Sequence, residues 1–117
     1  MIGKLRTLAL SFPETSESGS WGHPNFRAGR KTFAAFELIK GRPSIAFRLE
    51  RADRDRLLRR KRFFVTPYGR GLWVSMWADA TIDWTVVADL LQRSYRVVAL
   101  KRMIAALDAG DVNQGER

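Results

Sequence analysis

Hydrophobic residues at the start of the chain recur at the spacing of one helical face, which predicts a first helix over residues 2–11. The residues that carry this spacing are Ile2, Leu5, Leu8, Ala9 and Phe12. Pro13 restricts the backbone of the residue before it and therefore ends the helix. Residues 14–22 are polar and rich in Gly and Ser, and this composition predicts a loop.

Between residues 26 and 77 the pattern changes to short strands separated by turn residues. Five strands are predicted, over residues 26–28, 31–39, 44–49, 63–66 and 72–77. In the third strand apolar side chains alternate with small or charged ones, so one face of the sheet is apolar. Residues 52–61 predict a short helix that faces mostly solvent, because Leu57 and Leu58 are its main apolar residues.

The last third of the chain is predicted to be helical. Asp83 is a favourable N-cap, because its short side chain can accept a hydrogen bond from the first free amides of a helix. Apolar residues then recur on one face, and a second series continues to about residue 108 after a kink near residues 98–99. Residues 109–117 are polar and are predicted to form a flexible tail.

These elements follow the order α-β-β-β-α-β-β-α(α), which predicts a single α+β domain over residues 1–108. The expected architecture is a mainly antiparallel five-stranded sheet with helices packed on one face. A chain of 117 residues has the size of one domain.

The composition excludes several classes of site. The chain has no cysteine, which rules out disulfides, thiolate metal sites and a cysteine nucleophile. His23 is the single histidine, no nucleophile-elbow spacing is present, and the carboxylates are scattered. We therefore expect no enzyme, no cofactor and no metal. Since no apolar run is long enough to cross a membrane, we expect a cytoplasmic protein. We also expect a monomer or a weak dimer.

Positive charge is the strongest local signal in the sequence. The formal net charge is +9 at pH 7, and residues 51–62 hold seven Arg or Lys against two Asp. Phosphate binding would account for such a cluster, because each neutralised phosphate releases condensed counterions. The cluster would also arise if these residues were a solvated helix end, or if the chain as a whole simply favoured arginine.

Aromatic and basic residues also share the sheet face predicted to lie opposite the helices. Arg48, Trp73 and Trp77 point to that face by strand alternation. Aromatic rings interleaved with Arg or Lys can stack bases and hold phosphates, although loops can equally cover such rings. The predicted nucleic-acid-binding residues are Arg27, Arg30, Lys31, Arg48, Arg59, Arg60, Lys61, Arg62 and Arg70.

Three stretches of the sequence resemble the signature stretches of the MmcQ/YjbR family. They are Trp-Gly-His-Pro-Asn-Phe-Arg at 21–27, Pro-Tyr-Gly-Arg-Gly-Leu-Trp-Val at 67–74 and Ser-Tyr-Arg-Val-Val-Ala at 94–99. The resemblance extends over about residues 5–108. It implies a CyaY-like fold, the α/β sandwich of the frataxins, and DNA binding through a double-wing arrangement of the hairpins.

The sequence departs from the family pattern at two places. Leu72 stands between the second glycine and Trp73, and this insertion could turn the ring to the other face of the sheet. The first helix carries Lys4 and Arg6 and no carboxylate, whereas the frataxins hold iron on an acidic ridge. An iron-handling role is therefore disfavoured.

The same three stretches supply an alternative site, a cluster for a small ligand or a protein partner. Its residues are His23, Tyr68, Trp73, Tyr95 and Arg96. The planar guanidinium of Arg96 would suit a carboxylate or phosphate ligand. A structural role competes with ligand binding, in which the cluster ties loop, sheet and last helix together. A concave pocket would favour the ligand, and a filled core the structural role.

Overall fold

The computed structural model describes residues 1–19 and 22–110. Trp21, which the sequence places in a loop, and residues 111–117, which form most of the predicted tail, lie outside the described residues. The described part contains four helices and six strands. In chain order they are α1 (Ile2–Ala9), β1 (Thr15–Ser18), β2 (Asn25–Ala28), β3 (Lys31–Ile39), β4 (Arg42–Arg48), α2 (Arg51–Leu57), β5 (Phe63–Val65), β6 (Trp73–Trp77), α3 (Trp84–Val98) and α4 (Lys101–Asp108).

The strands form a six-stranded sheet in the order β1-β2-β3-β4-β6-β5, and each described pair of neighbours is antiparallel. The predicted α+β class is confirmed, but the predicted number of five strands is wrong. The additional strand, β1, lies inside the segment predicted as a loop and pairs with β2 from Thr15 opposite Ala28 onwards. Its residues are polar and its place in the sheet rests on backbone pairing, so hydrophobic alternation could not reveal it.

The hydrophobic core lies on one face of the sheet, and each described helix contributes buried side chains to it. The predicted alternation in β4 is confirmed, because Ile45 and Phe47 are fully buried on this face. The rings of Phe12, Phe33 and Tyr95 meet in the same core, with centroids 5.0 to 6.1 Å apart. Burial of these large apolar side chains is the main force that holds helices and sheet together.

A β-bulge in the β2–β3 pair decides which residues of β3 face the core. Arg27 pairs with Thr32 but Phe26 pairs with Ala34, so Phe33 is an extra residue that joins the core face. Beyond the bulge, Ala35 and Glu37 point to the opposite face, as Thr32 does before it. We call this opposite side of the sheet the open face.

Helix α2 is shorter than predicted and ends at Leu57, not at residue 61. The chain must turn there to enter β5, and two backbone hydrogen bonds, from Arg60 N to Leu57 O and from Phe63 N to Arg60 O, hold the turn. The basic residues 59–62 therefore lie in this turn and not on a helix.

The C-terminal helical region has the predicted N-cap and a sharper break than predicted. The Asp83 carboxylate accepts a hydrogen bond of 3.0 Å from the Thr85 amide. Extended backbone at Ala99 and Leu100 separates α3 from α4, so the predicted kink is a break between two helices. Within residues 1–19 and 22–110, no helix is both long enough and apolar enough to cross a membrane.

Candidate functional site

The open face carries a pocket of about 510 Å³. Its floor consists of small side chains. Ala35 lines the pocket, and Ala46 and Ser75 follow it on the neighbouring strands. Ala46 and Ser75 are buried, although the helices pack on the other face of the sheet. The loop between β5 and β6 folds over the sheet and brings Tyr68 to the pocket. The lining residues are His23, Asn25, Thr32, Ala35, Glu37, Tyr68 and Trp73.

The Glu37 carboxylate is the centre of the polar wall. Its Oε2 atom lies 3.3 Å from Nε2 of His23, and the Tyr68 hydroxyl is close enough for Glu37 to raise the pKa of Tyr68. A carboxylate has about four lone-pair positions, so two neighbours leave room for further donors. Nδ1 of His23 is buried without a hydrogen-bond partner among the described residues. The described chain contains no group of three or more His, Cys, Asp or Glu that could hold a metal ion.

The Tyr68 hydroxyl is kept in its protonated form. Burial raises the pKa of Tyr68 above its ordinary value, and the hydrogen bond to Glu37 and the negative charge of Glu37 raise this pKa further. The reason for the Glu37 effect is that loss of the phenol proton would place two negative charges side by side. The Tyr68 phenol therefore stays neutral throughout the neutral pH range and can act as a hydrogen-bond donor towards Glu37.

A glycine lets the β5–β6 loop approach Trp73 closely. Gly69 has a φ of +85°, and a Cβ atom at this position would collide with the indole ring of Trp73. Glycine avoids both the collision and the strain of the left-handed conformation. The loop therefore packs against the ring and holds it in place as one wall of the pocket.

Trp77 also points to the open face, but both sides of its ring have neighbours. Phe64 stacks on it with ring centroids 4.2 Å apart, and the Arg42 guanidinium lies 3.9 Å from its ring centroid. Two groups this close to one ring centre cannot occupy the same side of the ring. Of the two tryptophans predicted on this face, Trp73 is the one that lines the pocket.

The nine basic residues predicted to bind nucleic acid fall into two groups at opposite ends of the sheet. Arg48 at the end of β4 pairs with Trp73 at the start of β6, so the β2–β3 turn and the β5–β6 loop lie at this end. Phe63 pairs with Met76, so the turn before β5 lies at the other end. The pocket-end cations are Arg27, Arg30, Lys31, Arg48 and Arg70. The far-end cations are Arg59, Arg60, Lys61 and Arg62.

Neither group of cations is neutralised by the protein itself. Among the described residues, none of the nine forms an ion pair with a carboxylate, whereas seven other arginines do. Those seven are Arg6, Arg42, Arg51, Arg56, Arg93, Arg96 and Arg102. Arg27 and Arg48 donate to the backbone carbonyls of Arg30 and Leu49, which orients the guanidinium groups without cancelling their charge.

A protein-family model described as YjbR matches residues 10–97 of the sequence. The chain belongs to the YjbR family. This match confirms the resemblance carried by the three sequence stretches. No curated protein has a significant match to the sequence.

Two solved structures are similar to this YjbR chain. A Deinococcus radiodurans protein with a DUF419 domain has a TM-score of 0.73 at 14% identity, over 95% of this chain and 88% of that one. A protein from Pseudomonas syringae has a TM-score of 0.63 at 12% identity, over 71% of this chain and 86% of that one. At such low identity the likeness shows a shared fold and nothing about function.

The structure separates the five residues of the predicted ligand cluster. His23, Tyr68 and Trp73 meet at the pocket, but Tyr95 and Arg96 lie on α3, on the helix side of the sheet. Tyr95 is fully buried and donates a hydrogen bond of 2.8 Å to the Pro13 carbonyl, and Arg96 pairs with Asp108 of α4. For Tyr95 and Arg96 the geometry therefore corresponds to the structural role, and for the other three to a ligand pocket.

Glu37 is the central pocket residue that the sequence pattern does not identify. It is the only charged residue between Thr32 and Ile39, in a strand that is otherwise mostly apolar. This isolation is the available signal, because a carboxylate on a largely buried strand needs polar partners. Simple alternation places Glu37 on the same side of the sheet as Phe33. Because of the bulge at Phe33, Glu37 points to the opposite face instead.

Proposed function

We propose that this protein binds nucleic acid through the pocket-end cations. The observation that carries the proposal is that these five side chains have no carboxylate partner among the described residues and lie at the end of the sheet where Trp73 lines the pocket. The far-end cations also lack a carboxylate partner, but they lie at the other end of the sheet. Unpaired cations gathered at one end of a sheet favour an anionic partner. Binding of this kind needs no chemical step, so the proposed function is non-enzymatic, and we expect it in the cytoplasm.

Phosphate groups would supply the missing negative charge. Arg27 and Arg48 lie two strands apart, about 10 Å at the usual strand spacing, and the other three cations extend the surface into the turn and the loop. Contacts of this type go to the backbone of the nucleic acid, so they give little sequence preference. Five phosphate contacts predict a slope of log K against log salt of about −3.5 for a single strand.

Two matched double variants test the proposal. Arg30→Ala/Lys31→Ala removes one Arg and one Lys from the pocket end, and Arg59→Ala/Lys61→Ala removes the same pair from the far end. All four side chains are exposed. Binding of a fluorescent single-stranded oligonucleotide is measured by anisotropy over a range of salt concentrations, for the wild type and both variants.

The pocket-end variant should weaken binding about tenfold at low salt and reduce the magnitude of the salt slope by about 1.4, because two contacts are lost. The far-end variant should keep the slope of the wild type. A wild-type protein that does not bind at low salt overturns the proposal. Equal losses in the two variants overturn it as well, since binding would then follow net charge and not the pocket end.

The pocket supports a second candidate function, the binding of a small ligand without nucleic acid. Its volume of about 510 Å³ lies within the range of small-molecule sites, and an aromatic wall with a few polar groups is typical of them. A ligand of this kind should bind the wild type and the Arg30→Ala/Lys31→Ala variant equally and should be insensitive to salt. Calorimetry in low and high salt separates the two functions.

A further inference from the structure

The pocket has a lining suited to a flat aromatic group. Trp73 forms one wall, and Ala35 on the floor contributes only a methyl group, so a planar ring has space to lie against the indole. Stacking on an aromatic side chain is a common way for proteins to hold an unpaired base. A cavity of about 510 Å³ has room for one base with its sugar.

The Glu37 carboxylate determines which base fits the polar wall. A carboxylate accepts hydrogen bonds, and Tyr68 and His23 occupy only part of its capacity. Guanine presents two neighbouring donors, N1–H and N2–H, which match two carboxylate oxygens as the fork of an arginine does. Adenine and cytosine place a ring acceptor beside their amino group, and uracil has a single N–H between two carbonyls. These three bases would bring an acceptor against the carboxylate.

The charge around the pocket favours a nucleotide over a cationic ligand. Arg48 pairs across the strands with Trp73, and Arg27 pairs with Thr32, so both cations are neighbours of lining residues. A phosphate attached to the bound base would lie in their field. A guanidinium ligand also offers two neighbouring donors and stacks on tryptophan, but the same cations would repel it.

We propose that the open-face pocket binds a guanine base, either of a free nucleotide or of an unpaired position in a single strand. The base donates two hydrogen bonds to Glu37 and stacks on Trp73, while its phosphate lies near Arg27 and Arg48. The inference rests on the proposed function for its phosphate contacts. It adds a base preference that phosphate contacts cannot give.

The test compares guanosine, adenosine, cytidine and uridine monophosphates and, in parallel, single strands of thymidine that carry either guanine or adenine at one central position. Tryptophan fluorescence and calorimetry measure binding to the wild type, to Glu37→Gln and to Glu50→Gln. Glu50→Gln is the matched control, because it makes the same change at an exposed carboxylate outside the pocket.

Guanine should bind the wild type about tenfold more tightly than the other bases, and Glu37→Gln should remove this preference, as expected for the loss of a bidentate contact. Glu50→Gln should keep it. If circular dichroism shows that Glu37→Gln is unfolded, Trp73→Leu replaces it and should weaken the binding of the guanine ligands through the loss of stacking. If the wild type prefers guanine only in the strands, the ligand is a base within a nucleic acid. If it prefers guanine in both the strands and the nucleotides, the base itself is the ligand.

The inference is overturned if neither the nucleotides nor the strands show a guanine preference, or if Glu37→Gln retains it. Tighter binding of arginine methyl ester than of guanosine monophosphate overturns it too. Failure of the proposed function has a different signature, namely strand binding that is absent at low salt or insensitive to Arg30→Ala/Lys31→Ala, whatever the base.

Discussion

The two faces of the sheet differ in what covers them. On the helix side, Phe12, Phe33 and Tyr95 pack with ring centroids 5.0 to 6.1 Å apart and belong to a continuous core. On the open face the β5–β6 loop folds over small floor residues and leaves a pocket of about 510 Å³. Helices bring enough apolar side chains to fill the space above a sheet, whereas the β5–β6 loop leaves a cavity with polar groups in it.

The two tyrosines show what this difference means for a single residue type. Tyr95 is fully buried and donates to the backbone carbonyl of Pro13, and burial raises its pKa to about 12. Tyr68 is 42% exposed, and its pKa is raised in part by the neighbouring carboxylate of Glu37. The hydrogen bond of Tyr95 joins a helix to a distant turn, so it serves stability. Tyr68 lines the pocket beside a carboxylate that a ligand can reach, so it serves a site.

Truncation of the two tyrosines should give the largest difference in stability loss between the two faces of the sheet. Tyr95→Ala deletes a fully buried ring and leaves the Pro13 carbonyl without its donor, so we expect the free energy of unfolding to fall by about 3–5 kcal/mol. Tyr68→Ala removes a half-exposed ring, and we expect a loss of about 1 kcal/mol. Urea denaturation measures both variants. Equal losses would contradict the contrast between a structural face and a binding face.

Two glycine variants should give the next largest difference in the free energy of unfolding, and they test whether the β5–β6 loop positions Trp73. Gly41→Ala introduces strain at a φ of +79° but meets no atom within 4 Å, so we expect a loss of about 1–2 kcal/mol. Gly69→Ala has similar strain and also displaces Trp73, which should add about 1–3 kcal/mol.

Ligand titration completes the glycine comparison. Gly69→Ala should lose pocket binding because its new methyl group moves the aromatic wall, while Gly41→Ala should retain it. If both variants bind ligand as the wild type does, the position of the Trp73 ring is not set by the loop. Folding of both variants is checked by circular dichroism.

The sequence predicts the helix-covered face better than the open face. Alternation places Ile45 and Phe47 in the core, and the residue type of Asp83 identifies a helix start, because these signals are local. Strand β1 escapes prediction because its pairing with β2 uses the backbone of polar residues. The bulge at Phe33 escapes it because a bulge arises from the register between two strands and not from either strand alone.

The pocket is predictable only in part, for the same reason. His23, Tyr68 and Trp73 stand in stretches that resemble a family signature, so they can be picked out by residue type. Glu37 meets His23 because β2 pairs with β3, and it meets Tyr68 because the β5–β6 loop reaches across the sheet. Both are contacts between separate elements, which residue type alone does not predict. Tyr95 stands in a third signature stretch and is predicted to join them, but α3 packs on the core face, so the sheet lies between Tyr95 and the pocket.

Alkaline titration should show a moderate difference between the two tyrosines, which are the only ones in the chain. The pKa of both is raised, that of Tyr95 to about 12, so absorbance at 295 nm should stay flat near pH 10 in the folded protein. Tyr68→Phe should leave a single step from Tyr95. Glu37→Gln should lower the pKa of Tyr68 part of the way towards its ordinary value, since burial remains but the neighbouring negative charge is gone.

The sign of the linked stability change follows from these raised pKa values. Each tyrosine is a stronger acid in the unfolded chain, so its contribution is complete below about pH 10 and is lost as the pH rises through the folded value. Circular dichroism followed during the same titration separates ionisation from unfolding. A full tyrosine step near pH 10 with the helices intact would contradict the raised pKa of both tyrosines.

A fall in pH should give the smallest effect on stability, and this effect should be similar on both sides of the sheet. A hydrogen bond from Arg96 lowers the pKa of Asp108 on the helix side, and one from Arg42 lowers the pKa of Asp79 at the open side. A lowered folded pKa means that each pair contributes stability above the ordinary carboxyl pKa and loses it as the pH falls through the folded value. These pairs are exposed, so the contributions are small and are screened by salt.

Asp108→Asn and Asp79→Asn should therefore lower Tm slightly at pH 7. Both variants should also show a smaller decrease of Tm between about pH 5 and pH 2 than the wild type. Glu50→Gln is the control and should keep the wild-type profile. High salt should reduce the differences. Because Arg42 also covers the ring of Trp77, Asp79→Asn tests whether the open face has a structural element of its own. A loss of Tm in Asp79→Asn that is much larger than in Asp108→Asn, and persists in high salt, would show that the stacking of Arg42 on Trp77 depends on this pair. The open face would then contribute to stability at one end and to binding at the other.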